Sequence, residues 1–198
     1  MNKKTKSGGK IHAETTHHHR GKSSERLIDK DIILKELIIL PGQTILDAGC
    51  GDGYMAKAFS KLLNGTGKVY ALDPDNEAIE ILKKETKGTN IKPIVADITK
   101  RTPIKTSSVD MIYMSTVFHG FSKAQIPDFQ KEIERLLKPE ATLAILEMKK
   151  EDTPFGPPLN LRYSPEELKR MIKLFPKTTI EIGQYFYMQF FENRKATE

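Results

Sequence analysis

Cysteine is nearly missing from this chain: Cys50 is the only one among 198 residues. A lone thiol excludes an internal disulfide, so stability must come from a packed core, and such usage fits a reducing, cytoplasmic setting. Apolar runs of about 18 residues are absent as well, so no transmembrane helix is expected. The opening stretch, Met1–Lys10, is basic but lacks the apolar segment of a signal peptide. Excess charge is scarce over most of the chain. Residues 1–24 hold six Lys/Arg against one acid, Glu14, which leaves +1 of the net charge of +6 for everything after them. A near-neutral body lacks the field of a nucleic-acid surface; the basicity is a property of the tail. Histidine is equally missing from the body, where His119 stands alone, while His12, His17, His18 and His19 lie in the tail.

Residues 1–24 are polar and without hydrophobic periodicity, so by themselves they are expected to be flexible. Three adjacent histidines seldom converge on one ion without partners elsewhere, and no metal is assigned to them; an expression tag is another reading. One domain is expected over residues 25–198. It opens with a helix over Ser24–Leu37, on the apolar positions Leu27, Ile28, Ile32, Leu34 and Leu37, before a turn at Pro41-Gly42.

The stretch that organises the rest is Thr44-Ile45-Leu46-Asp47-Ala48-Gly49-Cys50-Gly51-Asp52-Gly53-Tyr54. It reads as a buried strand breaking into a tight loop, with a helix from about Gly53 to Leu63. Alternate glycines permit positive φ and leave bare peptide to meet a ligand, and the helix start presents unpaired N–H groups. A dinucleotide loop places its third glycine five residues after the first; here it comes at four, with Asp47 two residues ahead. An acid there suits an ammonium better than a pyrophosphate.

This D-x-G-x-G-x-G form resembles the first motif of class I S-adenosylmethionine-dependent methyltransferases, and small enzymes related to the ubiquinone/menaquinone biosynthesis group above all. The resemblance spans residues 25–192. It implies a Rossmann-like doubly wound α/β sheet of seven strands, order 3-2-1-4-5-7-6 with strand seven antiparallel and helices on both faces. The implied cofactor is S-adenosyl-L-methionine, held by the loop residues Asp47, Gly49, Cys50, Gly51, Gly53 and Tyr54. Some members of the group carry a His-His-Arg-Phe-like segment before the first helix; here Arg20 is followed by Gly21, so the tail is expected to be either flexible or a lid over the cofactor.

Further along, Lys68–Asp73 is an apolar strand ending in an acid. In Rossmann-type folds that acid accepts from ribose hydroxyls, and a carboxylate can accept from both at once; Asp73 and its neighbour Pro74 are assigned there. Asp75 caps the next helix, Asp75–Lys87. A third strand, Ile91–Ala96, ends at Asp97-Ile98, which the resemblance sets against the adenine amino group and ring. A fourth, Val109–Met114, ends at Ser115. Strands alternating with helices argue for a parallel sheet, with ligands at the strands' carboxyl ends.

The substrate half begins at His119, a residue able to take a proton near neutral pH or to tie its loop to backbone. Lys123–Leu137 is expected as a helix capped by Ser122, Lys138-Pro139-Glu140 as a turn, and Ala141–Met148 as a strand. Glu147 and Lys149 at its end either face the acceptor or pair with each other. A stiff loop from Asp152 to Tyr163 follows, similar to the Pro-x-Gly-Pro-Pro run of the group, with Arg162 as a grip for a carboxylate or phosphate and Phe155 and Tyr163 as apolar walls. Ser164-Pro165-Glu166-Glu167 is a capping box with proline at N1, opening a helix to about Leu174. The strands Thr178–Ile182 and Tyr185–Phe191 close the chain as a hairpin. The expected acceptor is a small molecule, quinone-like or aromatic. One cysteine discounts arsenite methylation, and no Asn-Pro-Pro-aromatic signature follows the fourth strand. The alternatives are an RNA or protein methyltransferase using the basic tail, a non-catalytic cofactor-binding subunit, and a nicotinamide oxidoreductase, which the glycine spacing and the terminal hairpin disfavour.

Overall fold

Residues 28–194 are described by the structure, a computed structural model. The elements run α1 (Lys30–Leu37), β1 (Thr44–Ala48), α2 (Tyr54–Leu63), β2 (Lys68–Asp73), α3 (Asn76–Glu85), β3 (Ile91–Val95), β4 (Val109–Ser115), α4 (Gln125–Leu136), β5 (Leu137–Met148), α5 (Pro165–Met171), β6 (Phe175–Ile182) and β7 (Phe186–Glu192). They build one seven-stranded sheet in the order β3-β2-β1-β4-β5-β7-β6. The pairs from β3 across to β5 are parallel, and β7 runs antiparallel to both β5 and β6. This is the Rossmann-like architecture and strand order expected above.

Strand pleat divides the apolar side chains between two cores. Leu46, Ile112 and Ile145 point to one face, where Phe129, Ile133 and Leu136 of α4 and Leu168 of α5 cover them. Ile45, Val69 and Met111 point to the other, under Ile33 and Leu37 of α1, Phe59 of α2, and Ile79 and Leu82 of α3. Each such large side chain contributes roughly 1.5–3 kcal/mol on burial, which is what holds α4 down along its length.

Several boundaries differ from the sequence reading. Helix α1 begins at Lys30 because Asp29 accepts from the N–H groups of Asp31 and Ile32; the segment before residue 28, with its histidines and the expected flexible or lid-forming tail, lies outside the described residues. Ser122 is not the N-cap of α4, which starts at Gln125 after Ala124; its hydroxyl accepts from Gln125 N–H while Gln125 Oε1 accepts from Ser122 N–H, closing a turn just ahead of the helix. The loop at Thr99–Ser107 is tied to α4, since Glu132 accepts from the backbone and hydroxyl of Thr102 and Arg135 donates to the Ile104 carbonyl. The edges of the sheet each carry a proline, Pro93 in β3 and Pro176 in β6.

The turn expected at Lys138-Pro139-Glu140 is absorbed into β5 as a bulge: Val109 faces Leu137, yet Met111 already faces Thr142. Glu140 sits at φ 63° to make it, a conformation that disfavours any side chain by about 1–2 kcal/mol. Glu140→Gly is therefore expected to raise stability by up to about 1 kcal/mol. The check is the denaturant midpoint; an unchanged or lower value would show that the bulge carries no strain.

Candidate functional site

The loop between β1 and α2 is built by its glycines in two different ways. Gly49 (φ 80°) and Gly53 (φ 78°) are packing requirements: a Cβ on the first would lie 2.4 Å from Val117 Cγ2, and on the second 2.5 Å from Leu82 Cδ1. At Gly51 a Cβ would meet nothing within 4 Å, so the peptide there borders open space. The loop is held in shape by the end of β2: the N–H groups of Gly49 and Cys50 both donate to the Leu72 carbonyl, at 2.7 and 3.0 Å, and Gly51 N–H donates to Asp73 Oδ2 at 2.9 Å. Cys50 is buried. Burial, reinforced by the charges of Asp47 and Asp73, pushes its thiol far up, so it lines the loop as a neutral group and is no nucleophile.

The acids expected at the sheet's carboxyl edge stand there. Asp47 closes the buried part of β1 at 3 % exposure. Asp73, half-buried, also accepts from Asp75 N–H through Oδ1 at 2.8 Å; each oxygen thus makes one backbone bond and keeps a second lone pair. Asp97 Oδ1 accepts from the backbone and hydroxyl of Thr99 at 2.8 and 2.7 Å. Ile98 is buried in the core at 4 % exposure. Tyr54 stands at the start of α2 with Lys30 Nζ 5.5 Å from its ring centre, and Pro74 is exposed beside Asp73. Ser115 ends β4, and the next residue, Thr116, donates its N–H to Leu146 on β5 at 2.8 Å.

Beyond Ser115 the chain makes one tight turn, Phe118–Gly120. In that turn Phe118 and Phe121 fall on one side, their rings 5.6 Å apart in the core. His119 turns elsewhere. Its Nδ1 lies 2.9 Å from Glu147 Oε2, and its N–H reaches Oε1 at 3.3 Å. Glu147 is 1 % exposed. An ionised carboxylate only accepts, so Nδ1 carries the proton in either charge state and Nε2 is the nitrogen that titrates. Burial works against the imidazolium, but the hydrogen bond and charge of Glu147 outweigh it, even with Arg162 opposing, and the pKa of His119 lies above the ordinary histidine value. The local pattern held one signal of this pairing: a glutamate inside the apolar run Ala-Ile-Leu-Glu-Met of β5. Glu147 and Lys149 do not pair with each other, because Lys149 reaches Glu181 instead.

Arg162 departs from the role expected of it. It is 5 % exposed, and its guanidinium donates to four backbone carbonyls: Pro157 at 2.8 Å, Glu151 at 2.8 Å, Phe155 at 3.0 Å and Lys149 at 3.2 Å. Donors engaged in this way do not grip a carboxylate or phosphate; they fasten the proline-rich loop. Phe155 packs edge-on against Tyr185 at 5.0 Å, and Tyr163 edge-on against Phe118 at 5.1 Å. Both remain half-exposed. Among the described residues no group of three His, Cys, Asp or Glu could hold a metal ion, and no helix is long and apolar enough to cross a membrane.

A loop of bare peptide with acids at three strand ends, and an oriented imidazole beyond the fourth, is one half of what a group-transfer enzyme needs; comparison with known proteins supplies the other. A SAM-dependent methyltransferase from Aquifex aeolicus of known structure is 30 % identical over 87 % of this chain and 93 % of its own, with a TM-score of 0.77. The chain belongs to the S-adenosylmethionine-dependent methyltransferases. A family model described as a methyltransferase domain matches residues 45–140, from β1 to the β5 bulge. Demethylmenaquinone methyltransferases of Staphylococcus saprophyticus and Staphylococcus aureus are similar at 27 % identity over 62 % of the chain and 26 % over 75 %. The chain spans 52 % and 61 % of the length of these curated relatives. The family's cofactor is S-adenosylmethionine, and the open face over Gly51, with lone pairs left on Asp73, has the space and the acceptors for a ribose-bearing molecule.

Two outcomes follow from this geometry. Gly49→Ala combines a left-handed φ with a clash against Val117, and a loss of about 1–3 kcal/mol is expected in chemical denaturation. Glu147→Gln removes what lifts His119 and leaves burial and Arg162, so its titration, followed by histidine NMR, should move to lower pH. A pKa raised on folding adds stability that is full below the unfolded value of about 6.5 and fades as pH rises through the folded value. The wild type should lose that increment between these limits, and Glu147→Gln should show no such loss.

Proposed function

We propose that the chain transfers a methyl group from S-adenosylmethionine to a small, quinone-like or aromatic acceptor, with His119 taking the acceptor's proton. The observation that supports it is the buried Glu147 carboxylate 2.9 Å from His119 Nδ1, which fixes the tautomer of the single histidine in the described body. When bound, the cofactor supplies an electrophilic methyl on a sulfonium. The chain's part is to hold it in line with the acceptor and keep water out.

In this reading Asp47 faces the ammonium of the cofactor's amino-acid end, and Asp73 takes the ribose hydroxyls on the lone pairs its backbone bonds leave. Asp97 takes the adenine amino group, with Ile98 beneath the ring. Gly49, Cys50, Gly51, Gly53, Tyr54, Pro74 and Ser115 form the surrounding wall. A hydroxyl acceptor gives its proton to His119 Nε2, and Glu147 steadies the imidazolium that results. Phe155 and Tyr163 offer apolar surface to a flat acceptor. The acceptor class is suggested by the two Staphylococcus relatives, named for a demethylated menaquinone. The RNA or protein alternative rests on residues 1–24, which lie outside the described residues, and draws no support from these relatives.

The decisive experiment is calorimetric titration of S-adenosylmethionine, S-adenosylhomocysteine and NAD into wild type, Asp73→Ala and Gly51→Ala. The first two ligands should bind wild type and NAD should not. Losing charge-assisted bonds of about 1.5–3 kcal/mol, Asp73→Ala should bind roughly 10- to 100-fold more weakly. Gly51→Ala should bind as poorly, since its methyl enters the space the ligand needs, while its left-handed φ of 52° costs about 1–2 kcal/mol of stability and leaves the chain folded. Binding of NAD alone would overturn the reading. Binding without release of S-adenosylhomocysteine in the presence of a reduced, short-chain demethylnaphthoquinone would refute the acceptor class.

A further inference from the structure

The loop from Lys149 to Arg162 leaves β5 two residues after the His119–Glu147 pair, and it is fastened from within. Four carbonyls, of Lys149, Glu151, Phe155 and Pro157, converge on the one guanidinium of Arg162. The loop is also seated from below: a Cβ on Gly156 would lie 2.3 Å from Met148 Sδ, the residue next to Glu147, and Thr153 closes an inner turn by donating its hydroxyl to the Phe155 carbonyl at 2.7 Å. Among the described residues no carboxylate forms an ion pair with Arg162. A cation 95 % out of water and bonded only to carbonyls is an expensive way to close a loop that already holds three prolines. A charge kept at that cost is used by something near it. Two contacts set it beside the His119–Glu147 pair: its Nη1 donates to the carbonyl of Lys149, two residues past Glu147, and the ring of the next residue, Tyr163, lies 5.1 Å from that of Phe118, the residue before His119.

We propose that Arg162 is a positioning residue of the acceptor site, which draws residues 149–157 into one fixed wall and sets a permanent positive charge beside the His119–Glu147 pair. The inference rests on His119 being the base. His119 then has beside it an anion that steadies its protonated form and a cation that hastens the proton's departure, so the imidazole returns to its neutral, working state after each transfer. The other ionisable groups around the pair are Tyr163 and Tyr187, which burial keeps protonated, and the ion pair Lys150–Glu167, which is internally balanced. Lys149 pairs with Glu181, and the acids of the loop itself, Glu151 and Asp152, are exposed to solvent that screens them, so Arg162 is the buried charge on that side.

The test uses the full chain, carries Arg162→Lys and Arg162→Met, and needs no acceptor. Hydrogen exchange of the amides of residues 150–158 reports the wall, and NMR titration of the His119 ring reports the charge. Both variants should exchange these amides at least tenfold faster, as neither can reach four carbonyls. Arg162→Met should move the His119 titration to higher pH, whereas Arg162→Lys should leave it near wild type. Unchanged exchange in both variants, or equal titration shifts in the two, would overturn the proposal. If Arg162→Met fails to fold, Arg162→Lys alone decides it by pairing fast exchange with an unmoved titration. Both readouts are independent of methyl transfer. Failure of the acceptor assay with these results intact would count against the proposed function, and the reverse against Arg162.

Discussion

Three N–H groups of one loop closing on the end of one neighbouring strand set up everything else in this molecule. Gly49 and Cys50 share the Leu72 carbonyl, and Gly51 takes the Asp73 carboxylate. These bonds fix the loop's path before any ligand arrives, so little ordering remains to be done on binding. They also fix where the chain beyond β4 can go, because Val117 packs into the gap that the missing Cβ of Gly49 leaves. The sheet order reverses direction between β1 and β4, where ligands of doubly wound folds lie. The same few bonds thus hold the glycine loop and place the turn that carries His119.

The side beyond β4 obeys a different physics. There the backbone is held by side chains instead of holding them: Glu147 grips the His119 turn through its N–H and its ring, and Arg162 grips the loop through carbonyls. Both are charged and nearly fully buried. Buried charges of this kind add little net stability compared with apolar replacements but strongly penalise any other arrangement. Precision of the site is the better explanation for them.

The geometry of the glycine loop and the strand ends around it was legible in the sequence because its signals are local. Glycines at every second position, an acid by the end of each of the first three strands, and Ser164 with Glu167 around a proline each announce their own geometry, and the last forms the expected reciprocal cap. The strand order followed from family resemblance and was found. What escaped were contacts between residues far apart in the chain. Glu147 meets His119 across 28 positions, and Lys149 turns away to Glu181. Arg162 looked like an anion grip since nothing in its neighbours' side chains tells that their carbonyls will converge on it. The expected turn after α4 became a bulge because β4 offered backbone partners on both sides of it. Backbone convergence leaves no trace in residue type, and that is the limit of such reading.

The proline in β3 carries a consequence for how the molecule meets others. Asn90 accepts from Val69 and Ala96 donates to Asp73, so the even positions bond inward to β2 and Pro93 turns its nitrogen to the open side. No bond is lost within the sheet, while a foreign strand aligning there would find a donor missing at mid-length. Pro176 stands in the strand at the opposite margin, so each edge strand holds a residue without an N–H, which disfavours growth by strand addition. Edge-to-edge pairing of crowded copies is thereby made less favourable.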